Sequence, residues 1–127
     1  MPVPSRVILA DASIWVDHIR SYDDHLAELI ADGRLLMHPH IMGEVALGNL
    51  RQRDKLLARL ELLPQARLAR DGDVRRLIAN HKLFSTGIGY VDAHLLASVH
   101  LLPGARLWTG DHRLHAHAER LSVAHLA

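Results

Sequence analysis

Short apolar runs alternate along the chain with longer segments in which apolar residues recur at helical spacing. The first run, Val7–Ala10, is continuously apolar, as is typical of a strand buried on both faces. Further runs that predict strands stand at residues 35–37, 66–69, 107–109 and 123–126. The segments between them predict helices at residues 13–20, 22–31, 41–50, 54–63, 71–81, 90–101 and 111–121. This alternation predicts a mainly parallel sheet covered on both faces.

Composition narrows the class of protein without naming a partner. The 127 residues are 49% apolar and 23% charged, which predicts one soluble globular domain over residues 1–127. Fifteen Lys and Arg against fourteen Asp and Glu leave a net charge of +1, and the absence of cysteine excludes disulfides and thiolate metal sites. The longest stretch without these charged residues, from Ala93 to Ala105, is shorter than the ~18 residues of a membrane span. We therefore expect a cytoplasmic protein with no membrane partner.

Four acidic residues stand where the predicted strands end. Asp11 follows the first strand directly, and Asp111 comes two residues after the strand at 107–109. Glu44 lies one turn into the helix that follows the second strand, and Asp92 lies in the first turn of an otherwise apolar helix. Each one alone is explained as a helix cap or a first-turn acid. Because the carboxyl ends of parallel strands share one edge of a sheet, we expect all four to lie close together.

Four neighbouring carboxylates predict a metal site. Like charges at close range raise one another's pKa, and a divalent cation removes that penalty. Hard oxygen ligands select Mg²⁺ or Mn²⁺ over softer metals. Such ions, when they bridge a phosphate, activate water and stabilise the leaving oxygen. Metal-assisted phosphodiester hydrolysis is therefore the leading chemical hypothesis.

The four acids stand in segments that resemble a PIN domain, and specifically a VapC-type toxin ribonuclease of the bacterial VapBC toxin–antitoxin systems. The opening segment is similar to the family's strand–Asp–x–Ser/Thr–x–Trp pattern, and the third segment is the most specific. The four segments are Ile8–Asp17, Gly43–Gly48, Gly87–Ser98 and Leu107–Leu114. They span the chain in the family's order and at suitable spacing.

The resemblance implies a fold, a cofactor and partners. The implied fold is a three-layer α/β/α sandwich with a central, mainly parallel five-stranded sheet. The implied activity is that of a Mg²⁺-dependent endoribonuclease, with Mn²⁺ as an alternative ion and tRNA or rRNA as candidate substrates. The implied partners are a VapB-like antitoxin, whose C-terminal segment enters the acidic cleft, and a second copy of the chain in a homodimer.

Matching positions in the motifs assign candidate roles to single residues. Asp11, Asp92 and Asp111 would hold the main metal ion, and Glu44 would help to position a second ion or the attacking water. These four are the candidate catalytic and metal-binding residues. Two hydroxyl residues would orient the carboxylates, namely Ser13 and Thr109. An extra acid that some relatives place shortly after the last Asp is missing here, which weakens the case for two metal ions.

One arginine and one histidine are candidate substrate contacts. Arg113 follows a predicted metal ligand near a helix N-terminus, where an RNA phosphate can bind, although a solvated helix arginine is an equal alternative. His112 is a second candidate. The His-x-His pairs at 38/40 and 115/117 lack further ligands at zinc spacing, so we expect surface histidines there.

Two other functions remain open from the residues alone. One is a PIN-like nuclease for RNA processing or for DNA, outside toxin–antitoxin systems, which the compact length disfavours. The other is a PIN-like module that binds a protein without catalysis. The electrostatic cost of keeping four carboxylates together favours a nuclease over this second alternative.

Overall fold

The computed structural model describes residues 6–126, which form seven helices and three strands. In chain order these are β1 (Ile8–Ala10), α1 (Ala12–Arg20), α2 (Asp24–Ala31), β2 (Leu35–Leu36), α3 (Pro39–Ala46), α4 (Arg53–Glu61), α5 (Asp71–Asn80), α6 (Tyr90–His100), β3 (Arg106–Trp108) and α7 (His112–Arg120). The predicted alternation of strands with helices is present.

The sheet has β1 at its centre, in the order β2-β1-β3, and both pairings are parallel. Leu9 lies opposite Leu36 on one side and Leu107 on the other. Every residue of β1 is buried, with at most 1% of its surface exposed. Because successive side chains of a strand point to opposite faces, this burial means that helices cover both faces of the sheet. The layering and the parallel pairing agree with the predicted sandwich.

The predicted five-stranded sheet is wrong, since the described residues form three strands. In the part of the chain that the structure describes, only two isolated parallel bridges stand in place of the other strands: Met37 pairs with Gln65, just before the segment predicted at 66–69, and Leu107 pairs with Ala124. The pairing at Met37 extends no further, because the chain leaves the sheet at His38 to begin α3. The residues of the 66–69 segment, chiefly Ala and Arg, are also weak strand formers.

Helix α3 begins earlier than its apolar pattern predicts. Pro39 occupies its first turn, where a proline costs no hydrogen bond, and the Nδ1 atom of His38 caps the helix by accepting from the backbone N–H of His40 at 3.0 Å. The helix ends at Ala46, ahead of Gly48. This shift places Glu44 near the C-terminal end of α3 rather than one turn from its beginning.

Helix α6 is buried in the core along most of its length, and its first turn carries Asp92. Seven consecutive residues of this helix, from Ala93 to Val99, are buried. A helix that is buried on all sides is held firmly, so its first turn presents Asp92 at a defined position. Among residues 6–126, no helix is both long and apolar enough to cross a membrane.

Candidate active site

Asp11 is the most firmly held of the predicted acids. It follows β1 and is 7% exposed, and its backbone N–H donates to the carbonyl of Trp108 at 2.9 Å. Its Oδ1 caps α1 by accepting from the backbone N–H groups of Ser13 at 3.0 Å and Ile14 at 3.3 Å. The Ser13 hydroxyl also donates to Oδ1, and the Thr109 hydroxyl donates to Oδ2. A buried carboxylate with this many donors has one orientation.

The same two hydroxyls connect Asp11 to the loop after β3. Thr109 Oγ1 accepts from the backbone N–H of Asp111 at 3.0 Å, and Ser13 Oγ accepts from that of Gly110 at 3.0 Å. Each hydroxyl therefore donates to the buried carboxylate and accepts from the loop that carries the next acid. The structure thus places Ser13 and Thr109 in contact with the Asp11 carboxylate, and their orienting role stays a prediction.

Two further acids lie at the beginnings of helices. Asp111 caps α7, with Oδ1 accepting from the backbone N–H of Leu114 at 3.0 Å, and it is exposed. Asp92 is in the first turn of α6, and its Oδ2 accepts from the backbone N–H of Gly89 at 3.2 Å. With Asp11 at the start of α1, three helix N-termini carry an aspartate, and the partial positive charge of each N-terminus offsets part of the repulsion.

Electrostatic coupling shows that the four acids share one neighbourhood. Desolvation raises the pKa of Asp92, and the charges of Asp11 and Asp111 raise it further against the opposing hydrogen bond from Gly89. Desolvation also raises the pKa of Glu44, with added repulsion from Asp92 and Asp11. The structure therefore places Asp92 within electrostatic range of Asp11 and Asp111, and Glu44 within range of Asp92 and Asp11. We call these four residues the acidic edge.

A cavity of about 250 Å³ opens at the acidic edge and contains the predicted substrate contacts. Its lining includes Asp92, Asp111, His112 and Arg113, and we call it the acidic cavity. Gly87, also in the lining, has a φ of +86°, and a Cβ atom there would overlap the Arg113 guanidinium. The glycine at position 87 thus leaves room for the Arg113 guanidinium in a cavity that Asp92 and Asp111 also line.

The donor set of the acidic edge fits a hard divalent cation. Its ligating atoms are carboxylate oxygens, and the raised pKa values of Glu44 and Asp92 mark an excess of negative charge that a cation would relieve. Within residues 6–126, however, no three His, Asp or Glu side chains lie close enough to form a ready-made metal site. Binding would therefore require these side chains to move closer together.

The expectation of surface histidines at 38 and 40 is wrong for His38, which is fully buried. Burial, with the charges of His40 and His94 adding to it, lowers the pKa of His38 to about 4. The ring of His40 lies between the other two, with centroids 5.0 Å from His38 and 4.9 Å from His94. We call these three residues the imidazole cluster. Its sequence signal was the position of His38 directly after the buried run at 35–37.

A connection between α5 and α6 near the acidic edge has no recognisable signal in the sequence. Asp71, the first residue of α5, accepts from the Tyr90 hydroxyl at 2.8 Å. The Nε2 atom of His94, which is 5% exposed, lies 3.1 Å from the same carboxylate oxygen. Tyr90 and His94 stand on either side of Asp92 in sequence, so the contact restrains the turn that carries it.

Comparison with known families identifies a domain over most of the chain. The family model described as PIN domain matches residues 8–120. Two relatives, each named ribonuclease VapC32, come from the CDC 1551 / Oshkosh and H37Rv strains of Mycobacterium tuberculosis. Each is 43% identical over 118 residues, covering 93% of this chain and 95% of the relative.

A solved structure supports the same fold. The crystal structure of PAE2754 from Pyrobaculum aerophilum superposes with a TM-score of 0.61 and covers 94% of this chain and 98% of that one. At 18% sequence identity, this likeness concerns the fold alone.

Proposed function

The chain belongs to the PIN domain family and to its VapC-type members, and we propose that it is a divalent-metal-dependent endoribonuclease that acts as the toxin of a toxin–antitoxin pair. The observation that carries the proposal is the acidic edge. Its four carboxylates lie at the carboxyl end of a parallel sheet, where functional groups gather in such folds. Their mutual repulsion is the kind that a bound cation offsets.

The proposed roles follow from how each acid is held. Asp11, fixed by the two hydroxyls, would provide the rigid ligand, and Asp92 and Asp111 would complete the set from the wall of the acidic cavity. When bound, Mg²⁺ or Mn²⁺ would supply Lewis-acid stabilisation of the charge that develops on the phosphate. Glu44, with its raised pKa, would orient the attacking water or help to place a second ion.

RNA would be held next to the acids by side chains of α7. Arg113 presents a guanidinium to the acidic cavity, where it can form paired hydrogen bonds with phosphate oxygens. His112 lies in the same lining. Water would then attack the phosphorus in line with the leaving oxygen, and no covalent bond to the protein is required.

The proposed partners are a VapB-like antitoxin, an RNA such as tRNA or rRNA, and a second copy of the chain, all in the cytoplasm. An exposed apolar surface supports a protein partner. Val16, Ile19 and Tyr22 on and after α1 are 37%, 39% and 71% exposed, and Leu47 after α3 is 88% exposed. Burial of such side chains against another protein is favourable.

The test is RNA cleavage with Mg²⁺ or Mn²⁺ and with EDTA, using tRNA and rRNA as substrates. Asp92→Asn and Asp111→Asn should reduce metal-dependent cleavage by roughly 100-fold or more, because several kcal/mol of charge stabilisation are lost. Asparagine caps a helix as well as aspartate does, so Asp111→Asn should remain folded.

Asp23→Asn is the matched control. Asp23 caps α2 by accepting from the backbone N–H of Leu26 at 2.9 Å, and it is not part of the acidic edge. This variant should cleave RNA at the wild-type rate. Full activity in both acidic-edge variants, or equal cleavage in EDTA, would contradict the proposal. Mn²⁺ binding without cleavage of any RNA would favour the non-catalytic module.

A further inference from the structure

A second cavity adjoins the acidic cavity and has no role in the proposed hydrolysis. It measures about 330 Å³, at the low end of the ~300–1,000 Å³ of small-molecule sites, and we call it the side cavity. Its lining includes Trp108, His115 and His125, together with Asp111 and His112. These last two residues line both cavities. A ligand in the acidic cavity can therefore extend past them into the side cavity.

The side cavity presents flat aromatic groups. The ring of His125 lies 5.4 Å from Trp108 in an edge-on arrangement, and the ring of His25 lies beside it in nearly the same plane, with the centroids 5.1 Å apart and the planes 5° apart. The Nε2 atoms of His25 and His125 are 2.9 Å apart, so one ring donates to the other. Burial, together with the nearby charges of His25 and Arg34, lowers the pKa of His125. The ring-to-ring hydrogen bond holds this wall in place, and the lowered pKa favours the neutral form of His125.

The charge of the lining selects the kind of ligand. Among the described residues that line the side cavity, none is Lys or Arg, and Asp111 contributes a carboxylate. This set disfavours a phosphate. It suits a neutral, flat group that stacks on rings and exchanges hydrogen bonds with imidazole nitrogens, which is how proteins hold unpaired bases.

We propose that the side cavity binds one unpaired nucleobase of the RNA, next to the phosphate held at the acidic cavity. This inference deepens the proposed ribonuclease function and rests on it. His112 stands between the two cavities and would contact the nucleotide that joins them. A base held there would add a sequence preference beside the cleaved bond, which contacts to phosphate alone do not provide.

The test uses nucleosides, which carry a base but no phosphate, so that neither metal nor catalysis contributes to binding. Adenosine, cytidine, guanosine and uridine are titrated in EDTA, with ribose as the control ligand. The readout is the fluorescence of the protein's two tryptophans, Trp15 and Trp108. At least one nucleoside should quench the emission saturably, and ribose should not. Quenching should persist in Trp15→Phe and disappear in Trp108→Phe.

His112→Ala supplies a second, independent variant at an exposed helix position. It should weaken nucleoside binding about fivefold or more, as expected when contacts of ~1 kcal/mol or more with a base are lost. His100→Ala is the matched control. His100 is the last residue of α6 and lines neither cavity, so this variant should bind nucleosides like the wild type. In RNA cleavage, His112→Ala should raise KM more than it lowers kcat.

The outcomes separate this inference from the proposed function. If no nucleoside quenches the fluorescence, or if His112→Ala binds as tightly as the wild type, the base subsite is wrong even where metal-dependent cleavage occurs. Binding of a nucleoside without cleavage of any RNA would instead contradict the ribonuclease. If the side cavity instead serves to bind a protein segment of the antitoxin, no nucleoside should bind to the isolated chain. That result would also overturn the base subsite.

Discussion

Helices α3 and α6 each carry a member of the acidic edge and a member of the imidazole cluster, and the fold treats the two groups in opposite ways. On α6, Asp92 keeps part of its surface in solvent, whereas His94, two residues later, is 5% exposed. At α3, Glu44 is exposed, whereas the capping His38 is fully buried. Two sets of titratable groups thus stand side by side with different access to water and ions.

The difference follows from the intrinsic pKa of each side chain. An imidazole is half neutral near pH 6.5, so burial needs only a modest shift to keep it uncharged at neutral pH. A carboxyl would need a shift of three units or more to be neutral there. Asp92 and Glu44 accordingly keep part of their surface in solvent, where a cation could offset the repulsion among the acids. On the proposed function the acidic edge would bind the cation, whereas the buried members of the imidazole cluster contribute to packing.

The largest expected effect is a difference in stability between Asp92→Ala and His94→Ala, two substitutions that lie two residues apart on α6. Loss of the buried His94 ring should lower the free energy of unfolding by about 2 kcal/mol or more, because a cavity forms and Asp71 loses a partner. Loss of Asp92 in EDTA should leave the free energy of unfolding unchanged or raise it, since repulsion at the acidic edge decreases. Urea unfolding measures both.

Activity should show the reverse order. Asp92→Ala should abolish metal-dependent cleavage, whereas folded His94→Ala should keep it within about tenfold, a loss of ~1.4 kcal/mol. If Asp92→Ala destabilises the protein as much as His94→Ala does, the division between a functional edge and a packed cluster does not hold.

Cation binding should give the next largest effect. Mn²⁺ at ten times its Kd would stabilise the folded protein by about 1.4 kcal/mol, which raises the Tm by roughly 3–6 °C for a domain of this size. The shift should be present in His38→Asn and absent in Asp92→Ala. Calorimetric melting curves with and without Mn²⁺ measure it, and an equal shift in Asp92→Ala would place the binding site elsewhere.

The smallest expected effect is the acid sensitivity caused by His38. Its pKa is lowered to about 4 in the folded chain, against an ordinary value of 6.5. The unfolded chain therefore binds a proton that the folded chain resists, so stability present above pH 6.5 is lost as the pH falls towards 4. His38→Asn keeps a helix cap and removes this titration.

Between pH 7 and pH 5.5, the wild type should consequently lose about 1.2 kcal/mol more of its unfolding free energy than His38→Asn does. Urea midpoints at the two pH values provide the measurement. Asn80→Asp, an exposed change at the end of α5, is a control for general charge effects. Parallel losses in the wild type and in His38→Asn would show that the buried imidazole does not titrate as inferred.

Local signals predicted much of the fold and the grouping of the acids. Asp11 and Asp111 were recognisable because each follows a buried apolar run and caps a helix, and both features depend on neighbours in sequence. The number of strands was not predictable in this way. Residues 66–69 and 123–126 were expected to form strands, but the described residues form only one bridge near each, at Gln65 and at Ala124, because pairing depends on how far the neighbouring strand continues.

By itself, the sequence determined the order of helices and strands, the parallel sheet and the placement of four carboxylates at its edge. These follow from apolar periodicity, helix caps and the direction of parallel strands, all of which act over short distances along the chain. Only the tertiary structure decided which titratable groups are buried and which cavities adjoin. Burial of His38 and the pairing of His25 with His125 depend on segments far apart in sequence, whose packing sets both solvent access and charge.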